Sequence, residues 1–260
     1  MTTSDPTPAL RFERVTKRFG RALALSGLSL DVDPGQTFGL AGMNGAGKTT
    51  LIKCLLDFCD IDGGRIEVFG VSHRVTASRA PLVFLPERFV PPYYLTGRDF
   101  LRYMLKLRDV PFDASAAEAM LASLDLDVSA LTKPVRAFSK GMTQKLGLAA
   151  CFLTRRDLYV LDEPTSGLDP KARALLKVQL RRLREEGRTL FLTSHSLADV
   201  EEICDCMAVI HQGELRFAGT PQQLRECYAS ATLEQAFLAC IDSPGGTPAG
   251  ARSPILRSGK

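Results

Sequence analysis

The chain has 260 residues, 45% hydrophobic and 24% charged, with 21 glycines and 15 prolines, a make-up that excludes a disordered or fibrous protein and allows one large unit or a core with a subdomain. Thirty-three Lys and Arg against 29 Asp and Glu leave a net charge of +4, too slight and too evenly spread to argue for a nucleic-acid partner. No run approaches the ~18 apolar residues of a membrane-spanning helix, and the polar start lacks the apolar middle of a signal peptide, so the chain is expected to stay in the cytosol.

Residues 1–9 and 242–260 are rich in Pro, Gly, Ser and Thr without apolar periodicity, and are expected to be mobile tails around a folded unit at 10–241. From Leu10 to Val32 apolar residues come in short runs or alternate with polar ones, as in strands of a half-exposed sheet. Pro34-Gly35 marks a turn and Thr37–Ala41 a buried strand. Gly47 to Cys59 reads as a helix with Leu51, Ile52, Leu55 and Phe58 on one face. Between about 88 and 138 the spacing turns helical, with starts at Thr96 and Asp113, and predicts a helical insertion. A helix near 140–154, a strand Leu158–Leu161, a helix Pro170–Glu186 closed by Gly187, a strand Thr189–Thr193, a helix Leu197–Cys204 and a hairpin at Gln212-Gly213 follow. Strands alternating with helices predict an α/β fold with a mostly parallel sheet covered on both faces.

The seven cysteines are odd in number and contain no Cys-x-x-Cys pair, so neither a disulfide framework nor a zinc site is indicated. Reduced, mostly buried thiols are expected, and the close pair Cys204 and Cys206 receives no role.

Chemistry concentrates in Gly42-Met43-Asn44-Gly45-Ala46-Gly47-Lys48-Thr49, with Thr50 beside it. It matches the phosphate-binding P-loop pattern in the required place, after a buried strand and opening a helix. Glycines let successive N–H groups converge on phosphate oxygens, the helix N-terminus adds positive potential, Lys48 reaches the terminal phosphates, and the Thr49 hydroxyl is a ligand for Mg²⁺. In Asp157–Pro164 an apolar strand then delivers two adjacent carboxylates at its C-terminal end, where parallel sheets bind ligands. Asp162 is placed to hold Mg²⁺, and Glu163 to polarise the water that attacks the γ-phosphorus.

With Phe138-Ser139-Lys140-Gly141-Met142 upstream, Ser166-Gly-Leu-Asp169 downstream and Thr193-Ser-His195 beyond, the chain over about 10–240 resembles the ATP-binding subunit of an ABC transporter of the exporter (ABC-2-like) type. The resemblance implies a P-loop core with an antiparallel β subdomain and an inserted helical subdomain. It also implies ATP and Mg²⁺ as ligands, and a homodimer, or a pseudo-dimer with a related subunit, in which Ser139 and Gly141 of one chain face the γ-phosphate held by the other. His195 resembles the switch histidine that contacts the γ-phosphate and the attacking water. Asp169 matches the loop that couples the two sites and could equally be a helix N-cap, two roles that can coexist. Phe19 matches the aromatic that stacks on adenine, or is a core strand aromatic. Glu87, in Leu85-Pro-Glu87, stands where the family usually has Gln, and as an oxygen donor it remains a candidate Mg²⁺ ligand. The family consensus Leu-Ser-Gly-Gly-Gln is altered here at its first, third and fifth positions, while Ser and Gly are kept.

The implied partner is an integral membrane permease, with the chain peripheral on the inner face of the cell membrane. Phe89, Val90, Tyr93 and Tyr94, with Pro91 and Pro92 among them, are candidates for a docking groove, and internal packing is their alternative. Leu233–Leu238 resembles the C-terminal helix of exporter subunits, so export is favoured over import. A soluble ABC-type ATPase acting on ribosomes or DNA is the alternative from another class. A P-loop kinase or GTP-binding protein would leave Ser139, Gly141 and His195 without explanation.

Overall fold

A computed structural model describes residues 7–243. Residues 1–6 and 244–260, most of both expected tails, lie outside the described residues. Ala9 nevertheless belongs to the fold: it is fully buried, its N–H donates to the Val32 carbonyl at 2.8 Å, and its carbonyl accepts from Phe69 N at 2.9 Å.

The chain begins with the antiparallel pair β1 (Leu10–Phe19) and β2 (Ala22–Val32). β1 turns Leu10 and Phe12 inward, then Val15 and Lys17. The change from even to odd positions follows from irregular pairing around Arg14, whose φ is 48°, and a bulge of this kind lets one strand present its apolar side twice. β3 (Thr37–Ala41), buried throughout, leads into α1 (Lys48–Leu55). β4 (Gly63–Val68) and β5 (Val71–Ser72) complete a four-stranded antiparallel sheet in the order β2-β1-β4-β5.

The predicted helix 47–59 is too long. Phe58 N–H bonds to the Lys53 carbonyl at 2.8 Å and Asp57 N–H to that of Cys54 at 3.1 Å, with Asp57 at φ 60°. This paired closure ends the helix in the left-handed conformation, and Phe58, expected on the apolar face, is 67% exposed.

β6 (Leu82–Leu85) opens the segment that holds α2 (Gly97–Lys106), α3 (Ala114–Ser123) and short 3-10 turns at Val128–Leu131 and Val135–Ala137. The starts read from the sequence are real caps. Thr96 Oγ1 accepts from Asp99 N at 3.1 Å, and Asp113 Oδ1 from Ser115 N at 2.8 Å, each satisfying a donor left free by the first turn.

α4 (Lys140–Leu153), β7 (Leu158–Leu161), α5 (Pro170–Glu185), β8 (Thr189–Thr193), α6 (Leu197–Ile203), β9 (Cys206–His211) and β10 (Glu214–Gly219) follow, then α7 (Pro221–Cys227) and α8 (Leu233–Asp242). The second sheet runs β10-β9-β3-β8-β7-β6, parallel except between β9 and β10. Its strands are apolar on both sides because each side faces a different core. Leu158 and Val160 of β7, with Phe191 of β8, join the core that includes Phe12, Leu30, Leu51 and Ile66. Tyr159 and Leu161, with Leu190 and Leu192, join the core of Phe100, Leu121, Leu146 and Leu176. All seven cysteines are free and none is exposed.

Candidate functional site

Parallel pairing aligns the C-terminal ends of four neighbouring strands. Leu40 pairs with Thr193, Leu161 with Leu192, and Leu85 with Leu161. The residues just beyond these pairs therefore emerge along one edge, where the sheet's backbone ends and side chains take over.

At this edge Met43, Asn44, Gly45, Ala46, Gly47, Lys48, Thr49 and Thr50 line a cavity of about 140 Å³ together with Glu87, Asp162, Glu163 and His195. Gly42 sits behind it and admits no side chain, since a Cβ there would lie 2.5 Å from the Ile210 carbonyl oxygen. Gly47 precedes α1 at φ 114°, and its Cβ would lie 2.8 Å from the Ala24 oxygen and 3.0 Å from Leu25 Cδ2. The loop is held from behind by the β9–β10 turn: Gly213 N–H donates to the Ala46 carbonyl at 2.9 Å, and Ser26 N–H to the Gly213 carbonyl at 2.8 Å. Lys48 Nζ donates to the carbonyls of Gly42 at 2.6 Å and Met43 at 3.2 Å. An ammonium has three donors, so one remains for an anionic oxygen in the cavity.

The two carboxylates diverge. Asp162 N–H bonds to the Leu85 carbonyl at 2.9 Å and Asp162 Oδ1 accepts from Thr193 Oγ1 at 2.7 Å. Glu163 has φ 51°, a strained value for a residue with a side chain, and its N–H donates to the same Thr193 Oγ1 at 2.9 Å. His195 N–H donates to Glu163 Oε2 at 3.1 Å. His195 Nε2 lies 3.2 Å from Oε1 but off the line of a hydrogen bond, so that, among the described residues, buried Oε1 receives no donor. Burial raises the Asp162 carboxyl above its ordinary value, against the Thr193 hydrogen bond. Burial likewise raises Glu163, against His195, and lowers Lys48, against Glu163, Asp162 and Glu87.

The donors that face the cavity as metal candidates, the Thr49 hydroxyl and the Asp162 and Glu87 carboxylates, are all oxygens, which suits a hard cation such as Mg²⁺. Among the described residues no three His, Cys, Asp or Glu side chains form a cage of their own. Mg²⁺ at nucleotide sites is held in this incomplete way, by few protein groups plus substrate phosphates.

Besides Gly42, four sequence candidates stand outside the cavity lining. Ser139 is the exposed N-cap of α4, its Oγ accepting from Met142 N at 3.2 Å. Gly141 packs beside Gly167, whose oxygen would be 3.0 Å from an added Cβ. Asp169 Oδ1 accepts from Ala172 N at 2.9 Å, so the residue caps α5. Phe19 is 52% exposed with Lys17 Nζ 5.3 Å from its ring centre, which removes the core-aromatic alternative. Thr193, quoted in the sequence only as part of the motif before His195, is the polar group the residue pattern did not single out.

A second depression, of about 630 Å³, begins at Glu87 and runs past Phe89, Val90, Pro91 and Tyr93 to Phe138 and Ser166. Val90, Tyr93 and Tyr94 are 85%, 68% and 70% exposed. Phe89 is partly buried against the core, its ring 5.6 Å from that of Phe100. Among the described residues no helix is long and apolar enough to cross a membrane.

The ABC transporter family model matches residues 25–166. An ABC transporter ATP-binding protein of Synechocystis sp. is 40% identical over 203 residues, covering 76% of this chain and 56% of its own length. A similar protein of Nostoc sp. is 38% identical, with 62% of its length covered, so this chain spans less than two thirds of either relative. The Nod factor export ATP-binding protein I of Burkholderia lata is 36% identical over 228 residues, covering 85% of this chain and 74% of that protein. A solved structure titled as the ATP binding subunit of an ABC transporter superposes with a TM-score of 0.80 at 26% identity, over 89% of this chain and 99% of that one. The architecture and these matches agree: the chain belongs to the family of ABC transporter ATP-binding proteins.

Proposed function

We propose that the chain binds and hydrolyses ATP to drive a membrane transporter, an exporter in preference to an importer, through ATP-dependent closure of a dimer. The observation that carries this reading is the convergence of the P-loop, Asp162, Glu163 and His195 on one cavity while Ser139, Gly141 and Asp169 lie outside it. A second copy presenting Ser139 at its exposed helix N-terminus would add donors to the cavity of the first.

The P-loop N–H groups and the free Lys48 donor hold the phosphates, and the exposed Phe19 ring offers a face for the base. Mg²⁺, when bound, would supply positive charge that offsets the charge developing on the phosphates. Thr49 and Asp162 would hold it, with Glu87 at the edge. Glu163 Oε1, buried and without a donor, accepts a water proton, and its raised affinity for protons makes it a better base than a solvated carboxylate. His195 stands beside that oxygen, placed to reach the γ-phosphate and keep the water aligned.

Two further features support the transporter role. The depression at Glu87–Ser166 shares Glu87 with the nucleotide cavity and presents Val90 and Tyr93 outward, which suits a permease segment. Relatives carrying the name Nod factor export ATP-binding protein support export. The reading places the chain peripherally on the inner face of the membrane.

The decisive measurement is phosphate release by purified chain, with Glu163→Gln beside it. The variant is expected to bind ATP like the parent, to lose turnover by about 10²–10⁴-fold, and to accumulate as an ATP-bound dimer. A variant that hydrolyses ATP at the parent rate would sink the assignment.

A further inference from the structure

We propose that Thr193 is a positioning residue of this site, whose one hydroxyl aims Asp162 at the metal and fixes the turn that carries Glu163; this rests on the ATP-hydrolysing reading above. Thr193 is 0% exposed and cannot itself touch a nucleotide. Its strand register sets it beside the carboxylates, because Leu161, the last residue of β7, pairs with Leu192, so that Thr193, the last residue of β8 and itself paired with Leu40, stands level with Asp162 just past the end of β7. The hydroxyl proton goes to Asp162 Oδ1 at 2.7 Å, and a lone pair takes Glu163 N–H at 2.9 Å.

A hydroxyl offers one donor and two acceptor positions, so both bonds form at once. Neither can be replaced by packing. Valine has nearly the same shape, and a strand end in an apolar sheet would accept it, yet it would leave the buried Glu163 N–H and the Asp162 oxygen unpartnered. Two residues on, His195 N–H holds Glu163 Oε2. The end of β8 thus grips both carboxylates, and they diverge because Oγ1 fastens one by its side chain and the other by its backbone. Groups that orient metal ligands from behind are worth about 10–100-fold in metal affinity or activity.

The test compares the parent with Thr193→Val and Thr193→Ser, using the β,γ-imido analogue of ATP as probe, with saturating Mg²⁺ and with EDTA. In EDTA, Thr193→Val should bind the analogue like the parent, since the P-loop and Lys48 are untouched. The tightening that Mg²⁺ gives the parent should shrink about tenfold or more. With ATP and saturating Mg²⁺, kcat should fall by about 10–100-fold while KM rises in step with the lost Mg²⁺ gain, and Thr193→Ser should restore both the gain and kcat. A Thr193→Val chain with the parent's Mg²⁺ gain and kcat overturns the proposal. So does a Thr193→Ser chain that restores neither, which would make the methyl group the cause. Should Thr193→Val fail to melt cooperatively, Thr193→Ala reads the same quantities; if neither folds, the hydroxyl serves the fold and the proposal falls. A parent that binds no nucleotide defeats the hydrolase reading itself, a result distinct from any difference between variants.

Discussion

His195 engages both oxygens of Glu163 by different means, its backbone N–H bonded to Oε2 at 3.1 Å and its ring Nε2 standing 3.2 Å from Oε1. The backbone bond survives any substitution of the side chain. The ring, half exposed toward the cavity, is therefore separable from the placement of the carboxylate.

His195→Ala is accordingly expected to leave ATP affinity and the position of Glu163 unchanged while kcat falls by about 10²-fold or more. A matching loss of ATP affinity would mean that the ring holds nucleotide in the ground state. The split between kcat and KM reads this directly.

Burial of Glu163 carries a cost. Burial raises its carboxyl above the ordinary value, so between the ordinary carboxylate range and the raised value the folded chain binds a proton that the unfolded chain has lost. Stability therefore falls as pH climbs through that window, and the penalty is complete above it. Glu163→Gln should raise the thermal midpoint at neutral pH, each kcal/mol relieved being worth about 2–4 °C in a chain of this size. The gain should vanish as pH is lowered into the ordinary carboxylate range. A midpoint equal to the parent's at neutral pH would refute the strain assigned to the buried charge.

Lys48 and Ser139 belong to different steps if two chains share each nucleotide. Lys48→Ala should abolish ATP binding by the monomer, whereas Ser139→Ala should bind ATP yet neither dimerise nor turn over. Mixing the two restores one complete site per dimer, so light scattering should detect ATP-dependent association that neither variant gives alone. Equal scattering from the mixture and the separate variants would argue for sites completed within one chain.

The exposed rings of Tyr93 and Tyr94 lie 5.7 Å apart, edge to face, next to the depression that begins at Glu87. The double substitution Tyr93→Glu, Tyr94→Glu should spare ATP binding and basal hydrolysis while lowering recovery of the chain with membranes. Unchanged recovery of the folded double variant would remove this surface as the docking face.

The residues that line the cavity are legible in the sequence because they sit in runs that dictate their own geometry, a strand followed by a glycine loop or by paired carboxylates. The helix after the P-loop was overextended for a physical reason: Phe58 continues the apolar spacing, but Asp57 ends the helix in a conformation whose usual sequence mark is glycine. Thr193 is not legible in the sequence, because its role depends on the register between β7 and β8, which local periodicity does not encode. Phe19 stood open between two roles because alternation at a strand's frayed end is ambiguous; its exposure settled only that it is not core. The cap at Asp169 was legible from Pro170, since proline at the first helical position invites an N-cap before it.

The bracing of the P-loop by Ile210 and Gly213 has a consequence for synthesis. Rich in glycine, the loop leaves the ribosome well before the turn that backs it, which follows only after β4 to β8 and the helices among them. At about 5–20 residues per second, the nucleotide loop waits roughly ten to thirty seconds for its rear wall. A nascent chain arrested before β9 should therefore hold no ATP, and one arrested far enough beyond β10 to free the hairpin from the exit tunnel should acquire binding in a single step.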